Sequence, residues 1–289
     1  MDPFSLLWLF FILASLQPAF TRQVLFAQRR RALAVISRKR KATVITLIHR
    51  QESLNLLGFP IVRYIDIDDA ESVLRAIADT PDDQPIEIIL HTPGGMVIAA
   101  RQIASALADH PAHVTAVVPH YAMSGGTMIS LACDEIIVES HAALGPVDPQ
   151  LGQYPAASLV EVSKLPGEHD DQTLLMADVG RKAIYQTEDF TRRMLERQMT
   201  PAQARDVAHL LATGVFTHDH PLQAPELIEL GLPVKVGVPA EERELMQLYP
   251  QPRGRTPAVE YVPGPHREPT PQPAMPRRRA VPGTRTSRG

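Results

Sequence analysis

Two glycine turns hold the residue types with which this chain could do chemistry. Residues 92–95 read TPGG and residues 123–127 read MSGGT, and each turn stands between an apolar strand-like run and a helix-like run. Backbone N–H groups at such turns are free to point at a ligand, and a pair of them can hold a developing oxyanion. A serine at the start of a helix, as Ser124 is here, exposes its hydroxyl beside those N–H groups. The second turn therefore permits nucleophilic catalysis; the alternative is a serine that only caps a helix.

Other function classes fit the sequence less well. Phosphate binding would use the same glycines, but the chain contains neither GxxxxGK[ST] nor GxGxxG. The 289 residues carry a net charge of −3, which argues against a general nucleic-acid binder. The single cysteine, Cys133, excludes an internal disulfide and a cysteine-only metal site. We therefore expect that the protein has no nucleic-acid partner. We also expect that the chemistry at the turns requires no metal and no cofactor.

A serine nucleophile needs a general base, and the residues leave several candidates open. His91, His120 and His141 lie in the same stretch of the chain, and His120 is the best placed because it ends a strand shortly before Ser124. Its alternative role is a strand-end histidine bonded to backbone or solvent. Asp148, in the stretch GPVDPQ, could orient a base, bind substrate backbone or cap the turn that follows it.

The elements around the turns alternate between strands and helices. Near-continuous apolar runs such as IEIIL, residues 86–90, are typical of strands that are buried on both faces of a parallel sheet. The runs between them carry apolar residues at helical spacing. This alternation predicts a layered, mostly parallel α/β domain. The predicted strands are 43–48, a short one near 61–65, 86–90, 114–119 and 135–140, and the predicted helices start at Asp68 or Asp69, at 96 and at 124.

The chain after the second turn predicts further helices. Residues 155–171 are polar and mixed, which favours a mobile segment, and residues 174–198 have helical composition without proline. Thr200 and Pro201 are typical of a cap and first position of a helix through residue 211. Residues 216–235 predict a loop, a short helix and a closing strand.

The N-terminal stretch predicts a membrane anchor. Residues 4–20 are almost wholly apolar, and their length of about 17 residues is the short end of what spans a bilayer. The basic residues follow this run, so the positive-inside rule places the rest of the chain in the cytoplasm. A cleaved signal peptide, the alternative, would need positive charge before the run. The expected segments are a single-pass cell-membrane anchor (1–22), a basic juxtamembrane segment (23–41), a folded domain (42–249) and a disordered Pro/Arg-rich tail (250–289).

A resemblance to a known family is carried by two stretches, ILHTPGG and YAMSGGTMISLACDEIIVESHAALGPVDPQLG. They resemble the Clp protease and crotonase superfamily, most closely the membrane-associated serine dehydrogenase proteinase family, with signal peptide peptidase A as a more distant relative. The resemblance covers roughly residues 42–240. It implies a Clp/crotonase-like fold, Ser124 as nucleophile, and the N–H groups of Gly95 and Gly125 as oxyanion donors.

The resemblance also bears on the general base. The position of the Clp protease histidine falls within residues 143–147, which have no titratable side chain. Signal peptide peptidase relatives use a serine–lysine dyad, whose lysine lies near the start of a long helix after the serine. By resemblance Lys182 takes this role, with Lys164 and His120 as alternatives. Such a lysine must lose its proton to act as a base.

Together these features predict a membrane-anchored serine endopeptidase with a Ser-Lys dyad, acting on a peptide or protein substrate. Because relatives of this fold assemble into rings or stacked trimers, the resemblance also implies a homo-oligomer. One alternative is a non-catalytic membrane scaffold of the same fold. Another is a crotonase-type acyl-CoA enzyme, whose enolate the same turns could hold, although the serine would gain nothing there.

Overall fold

The computed structural model describes residues 3–49 and 63–249, with side chains described at residue 20 and from residue 23 onward. The strands are β1 (Thr43–Ile48), β2 (Ile86–His91), β3 (Val114–Val118), β4 (Tyr121–Ala122), β5 (Glu135–Val138), β6 (Ala143–Leu144), β7 (Gln150–Leu151), β8 (Tyr154–Pro155) and β9 (Val234–Val236). The helices are α1 (Pro3–Arg40), α2 (Ile67–Ala78), α3 (Val97–Asp109), α4 (Gly125–Leu131), α5 (Ala156–Val162), α6 (Asp171–Leu195), α7 (Pro201–Ala212), α8 (Ala224–Glu229) and α9 (Ala240–Gln247).

A parallel sheet with strand order β1-β2-β3-β5-β9 forms the centre of the fold. Its register pairs Thr43 with Ile86, and Ile86 with Val114. One face packs against α2, α3, α4, α6 and α7, and the other packs against α1 and α9 through Ile36 and Leu245. All of β2 is buried, because it has strands on both sides and helices on both faces. The predicted layered parallel α/β architecture is confirmed.

The N-terminus of α2 differs from the prediction. Its N-cap is Asp66, and not Asp68 or Asp69, because only Asp66 has the extended backbone of a cap, with φ −123° and ψ −174°. The Asp69 N–H donates to the Asp66 carboxylate at 2.9 Å, and the Asp66 N–H donates back to Asp69 at 3.1 Å. This reciprocal capping box leaves the Asp69 carboxylate at the first turn of α2, where it also meets His49.

The segment 155–171, predicted to be mobile, contains a helix, so this prediction is wrong for its first half. Ala156 and Val160 of α5 are buried, and they pack against α6 at Gly180. A Cβ atom on Gly180 would lie 3.1 Å from the Ala156 carbonyl oxygen and 3.4 Å from Val160 Cγ2. The glycine lets the two helices approach closely. The small apolar surface of α5 is therefore sufficient to hold it against α6.

The other predicted elements are present with small changes at their ends. The long helix predicted at 174–198 is α6, and the helix predicted after Thr200 is α7, with a capping box between Thr200 and Gln203. The closing strand is β9. Of the strand predicted near 61–65, residues 61 and 62 lie outside the described residues, and Ile65 forms a parallel bridge with Gly95.

Helix α1 leads into the sheet at its C-terminal end, where Ile36 is buried. Among the described residues, none of the helices combines the length and the apolarity that a bilayer crossing requires. The predicted anchor at 4–20 falls almost entirely on side chains outside the described ones, and the predicted tail at 250–289 lies outside the described residues as well.

Candidate active site

Ser124 has a strained backbone at the junction between β4 and α4. Its φ of 50° and ψ of −112° make it one of two non-glycine residues with positive φ in the described parts of the chain. Such a conformation costs about 1–3 kcal/mol and persists where the surrounding structure enforces it, often at functional sites. The Ser124 side chain makes no capping hydrogen bond to α4. The geometry is thus that of a half-buried serine at a strand-to-helix turn, and helix capping does not explain the residue.

The two glycine turns are tied to each other by backbone hydrogen bonds. The Thr92 N–H donates to the Tyr121 carbonyl at 3.2 Å, and the Met123 N–H donates to the Thr92 carbonyl at 3.0 Å. Gly94, with φ +104°, lies so close to the second turn that a Cβ atom on it would sit 2.7 Å from Ser124 Cβ. Only glycine permits this conformation and this approach, so the TPGG sequence places the first turn directly against the serine.

The N–H groups of Gly95 and Gly125 are close together and unused. Ile65 bonds to the residues on either side of Gly95, donating to Gly94 O and accepting from Met96 N–H, each at 2.8 Å. The Gly95 N–H therefore points away from Ile65. A Cβ atom on Gly125 would lie 3.6 Å from Gly95 N. Within residues 3–49 and 63–249 neither N–H donates a hydrogen bond, so both are available to hold an oxyanion.

The serine, the two glycines and an Asp–His pair all line one cavity of about 210 Å³. The pair consists of Asp148 and His218, which are 70 positions apart in the sequence. The cavity is lined by Tyr64, Pro93, Gly95, Val97, Ser124, Gly125, Met128, Val147, Asp148, Pro149, Gln150 and His218.

His218 is oriented by a buried carboxylate. Its Nδ1 lies 2.8 Å from Asp148 Oδ1, and the Asp148 side chain is only 3% exposed. The other carboxylate oxygen accepts from Gln150 Nε2 at 2.7 Å. An ionised carboxylate only accepts, so Nδ1 carries the proton and Nε2 of the neutral ring is the acceptor. This is the tautomer that a histidine base requires.

Ser124 and His218 line the same cavity, but no hydrogen bond joins them in the described structure. Catalytic contacts are often long in enzymes without substrate and shorten in the complex. The missing contact therefore leaves His218 a candidate base, and its orientation by Asp148 is already in place.

The structure does not bring Lys182 or Lys164 to this cavity. Lys182 is exposed on α6, and its Nζ donates to Asp178 at 2.5 Å. This hydrogen bond holds the pKa of the Asp178 carboxyl below its usual value. Lys164 follows α5 and pairs with Glu161 at 2.7 Å, again on the surface. Both lysines thus have nearby acidic partners on their own segment of chain.

His120 lies elsewhere. It lines a second cavity of about 570 Å³ together with His141, Glu139 and Arg243, and Ser124 is not part of that cavity. The ring of His91 is buried between the two neighbouring rings of His120 and Tyr121, with centroids 5.4 Å and 4.3 Å away. The histidines that stand near the turns in the sequence therefore do not line the cavity that contains Ser124.

His218 was not predicted from the sequence. The residue belongs to a loop after α7, in the run THDHPLQ, where no periodicity and no glycine turn marks it. The one available signal was Asp148, a carboxylate between prolines that needed a partner. Among the described residues there is no group of three His, Cys, Asp or Glu side chains that could hold a metal ion.

Comparisons with known proteins place this geometry in a family. The model of the family described as ClpP-like SDH-type serine proteinase matches residues 1–275. Two proteins of Methanocaldococcus jannaschii, the uncharacterized proteins MJ1495 and MJ0137, are 46% and 47% identical over 267 and 273 residues. These alignments cover 92% of this chain in both cases, and 91% and 96% of the relatives.

Among solved structures, a mutant of the 1510-N membrane-bound stomatin-specific protease aligns with a TM-score of 0.46 and 18% identity, over 71% of this chain and 82% of that chain. The family assignment does not depend on this alignment. It rests on a family match that spans nearly the whole sequence, and it confirms the resemblance seen in the TPGG and MSGGT turns. The chain belongs to the family of ClpP-like SDH-type serine proteinases.

Proposed function

We propose that this protein is a serine endopeptidase whose nucleophile is Ser124 and whose general base is His218. The observation that carries the proposal is the shared cavity. It combines a strained serine without a capping bond, two unused N–H donors and a histidine fixed by a buried carboxylate. Each of these features is explained by acyl transfer, and the family of serine proteinases supplies the reaction class.

The reaction proceeds in two halves. His218 Nε2 takes the Ser124 hydroxyl proton as Oγ bonds to the peptide carbonyl carbon, and the carbonyl oxygen becomes an oxyanion held by the Gly95 and Gly125 N–H groups. The C–N bond then breaks, and His218 gives its proton to the leaving amine. Water, activated by the same histidine, releases the acyl group and restores Ser124. Asp148 holds the ring and stabilises the imidazolium throughout.

A Ser124–Lys182 dyad remains the competing mechanism from the sequence. It requires α6 to bring the Lys182 amine to the serine, and the ammonium to leave Asp178. In the His218 mechanism the serine and the base already line one cavity, so the geometry favours it. The nucleophile and the donors are the same in both mechanisms.

Cleavage of casein and of a peptide library by the full-length chain tests the proposed activity. We expect Ser124→Ala to lower kcat by at least about 10⁴-fold, as loss of a serine nucleophile does in other peptidases. Retained cleavage in Ser124→Ala would overturn the mechanism. A folded wild-type protein that cleaves neither casein nor any library peptide would favour a non-catalytic scaffold.

We further propose a membrane anchor at residues 1–22 with the domain in the cytoplasm, and a homo-oligomeric assembly. The apolar run at 4–20 and the basic residues after it support the anchor. Alkaline extraction of membranes tests it, because an anchored chain stays in the pellet and a chain lacking residues 1–22 does not. Light scattering of the purified protein tests the assembly, and a monomer mass would contradict it.

A further inference from the structure

A chain of hydrogen-bonded polar side chains connects the first glycine turn with α2. His49, at the end of β1, is 5% exposed, and its Nδ1 lies 2.9 Å from Thr92 Oγ1. Its Nε2 lies 3.0 Å from Asp69 Oδ2 at the first turn of α2. The Thr92 oxygen in turn accepts the Gly94 N–H at 3.1 Å. Two elements, β1 and α2, are thus connected to the turn that carries Gly95.

The partners fix the direction of each hydrogen bond. Asp69 also accepts the Asp66 N–H, and although burial alone would raise its pKa, the hydrogen bond from His49 and that backbone bond hold the pKa of Asp69 below its ordinary value. An ionised Asp69 accepts a hydrogen bond from His49 Nε2–H, and in this tautomer Nδ1 is an acceptor for the Thr92 hydroxyl. The hydroxyl lies 2.9 Å from Nδ1 and 3.4 Å from its other acceptor, the Gly94 carbonyl oxygen, so the bond to His49 is the shorter one. Thr92 Oγ1 can then accept from Gly94. The chain therefore runs in one direction, from Gly94 N–H to the carboxylate.

Thr92 touches both glycine turns. Its hydroxyl accepts the Gly94 N–H, and its methyl group lies only 2.6 Å from the position that a Cβ atom on Gly126 would take. The side chain itself is fully buried. Buried polar groups in such a network are expensive to leave unpaired, so a satisfied network has one low-energy arrangement. A shift of Thr92 would consequently move the first turn relative to Ser124.

We propose that Asp69 and His49 are positioning residues for the oxyanion hole, acting through Thr92 on the turn that presents the Gly95 N–H. This inference rests on the proposed peptidase function, because it assigns these side chains to the same reaction. They touch no substrate. Their role is to hold one donor at the distance from the developing oxyanion that the transition state requires.

Two matched pairs of variants separate positioning from simple support of the fold. Thr92→Val removes the hydroxyl and keeps the shape, and Thr92→Ser keeps the hydroxyl. Asp69→Ala removes the acceptor of His49, and Asp66→Ala breaks the same capping box without touching that acceptor. Each full-length variant is measured for kcat, KM, thermal midpoint and inhibition by a peptide boronate, which forms a tetrahedral adduct.

We expect Thr92→Val and Asp69→Ala to lower kcat by about 10- to 100-fold, less than the effect of deleting a donor outright. KM should change by less than about threefold, and boronate inhibition should weaken in parallel with kcat, as expected when only transition-state binding is lost. Thr92→Ser should recover most of the loss, and Asp66→Ala should keep kcat near the wild-type value.

Equal kcat losses in Asp69→Ala and Asp66→Ala would overturn the inference, and so would a boronate affinity that stays constant while kcat falls. Unchanged kcat in Thr92→Val would overturn it as well. These failures are distinct from failure of the proposed function, which shows itself as cleavage by Ser124→Ala in the same assay. The thermal midpoint reveals a variant that unfolds, and if either Thr92→Val or Asp69→Ala does so, the kcat of the other one decides.

Discussion

Two Asp–His pairs lie beside the glycine turns, and their exposure is reversed. In the pair beside Ser124, the His218 side chain is 33% exposed and Asp148 is 3% exposed. In the pair beneath Gly94, the His49 side chain is 6% exposed and Asp69 is 30% exposed. A histidine can exchange a proton with substrate only if one ring nitrogen reaches the cavity. The residue types are the same in both pairs and therefore do not identify the base. The base is identified by the exposure of the histidine, which is larger for His218 than for His49.

The hydroxyl beside each pair shows the same contrast. Thr92 Oγ1 is fully buried and bonded to His49 and to Gly94, whereas Ser124 lies in the cavity and makes no capping bond. The first arrangement stabilises backbone, and the second is open to a substrate carbonyl. We interpret the buried pair as the support of the oxyanion turn and the open pair as the base of the reaction.

The largest effect expected from this comparison is the loss of His218. His218→Ala should lower kcat by about 10³- to 10⁶-fold, because among the described residues no other histidine and no lysine lines the cavity. His49→Gln should lower kcat by at most about 100-fold, since it disturbs one donor and leaves the base intact. Steady-state peptide hydrolysis measures both. If His49→Gln were the more damaging substitution without unfolding, the two pairs would have to exchange roles.

A smaller difference is expected between the two carboxylates. Asp148→Asn should lower kcat by about 10³- to 10⁴-fold, because an amide favours the wrong histidine tautomer. Asp69→Asn keeps an acceptor oxygen for His49 and for the Asp66 N–H, so its loss should stay below about tenfold. Matched kcat values for the two variants, measured in the same assay, would contradict the distinction.

The sequence predicted more of the fold and of the nucleophile than of the base. Strands such as IEIIL and the helix after Thr200 carry local periodicity and capping signals, and Ser124 stands in a local turn pattern. His218 contacts Asp148 across 70 positions, a distance that no local pattern records. Helix α5 was missed for a related reason, since its stability depends on the distant Gly180.

The last prediction concerns the free energy of unfolding and a residue outside both Asp–His pairs. It tests whether the pH dependence of stability has a source other than these pairs. Burial, and then the nearby Glu242 carboxylate, raise the pKa of Glu87 to about 7, while Arg40, 3.4 Å away, opposes the shift. The folded state therefore binds the Glu87 proton more tightly than the unfolded state. Its contribution to stability is full below about pH 4.5 and is lost as pH rises to about 7.

Glu87→Gln should remove this slope. Relative to the wild type, the variant should gain about 2–3 kcal/mol of unfolding free energy between pH 5 and pH 8, as expected for a shift of this order. Urea unfolding at the two pH values measures the difference. An unchanged slope would show that Glu87 does not control it, and a lowered kcat at constant stability would link Glu87 to the site.

The most direct measurement of the central claim is mass spectrometry of the full-length protein after reaction with a fluorophosphonate. The account predicts a single adduct on Ser124, formed at least about 100-fold more slowly in His218→Ala and at the wild-type rate in Lys182→Ala. An adduct on another residue would contradict Ser124 as the nucleophile. Normal labelling in His218→Ala together with its loss in Lys182→Ala would contradict His218 as the base.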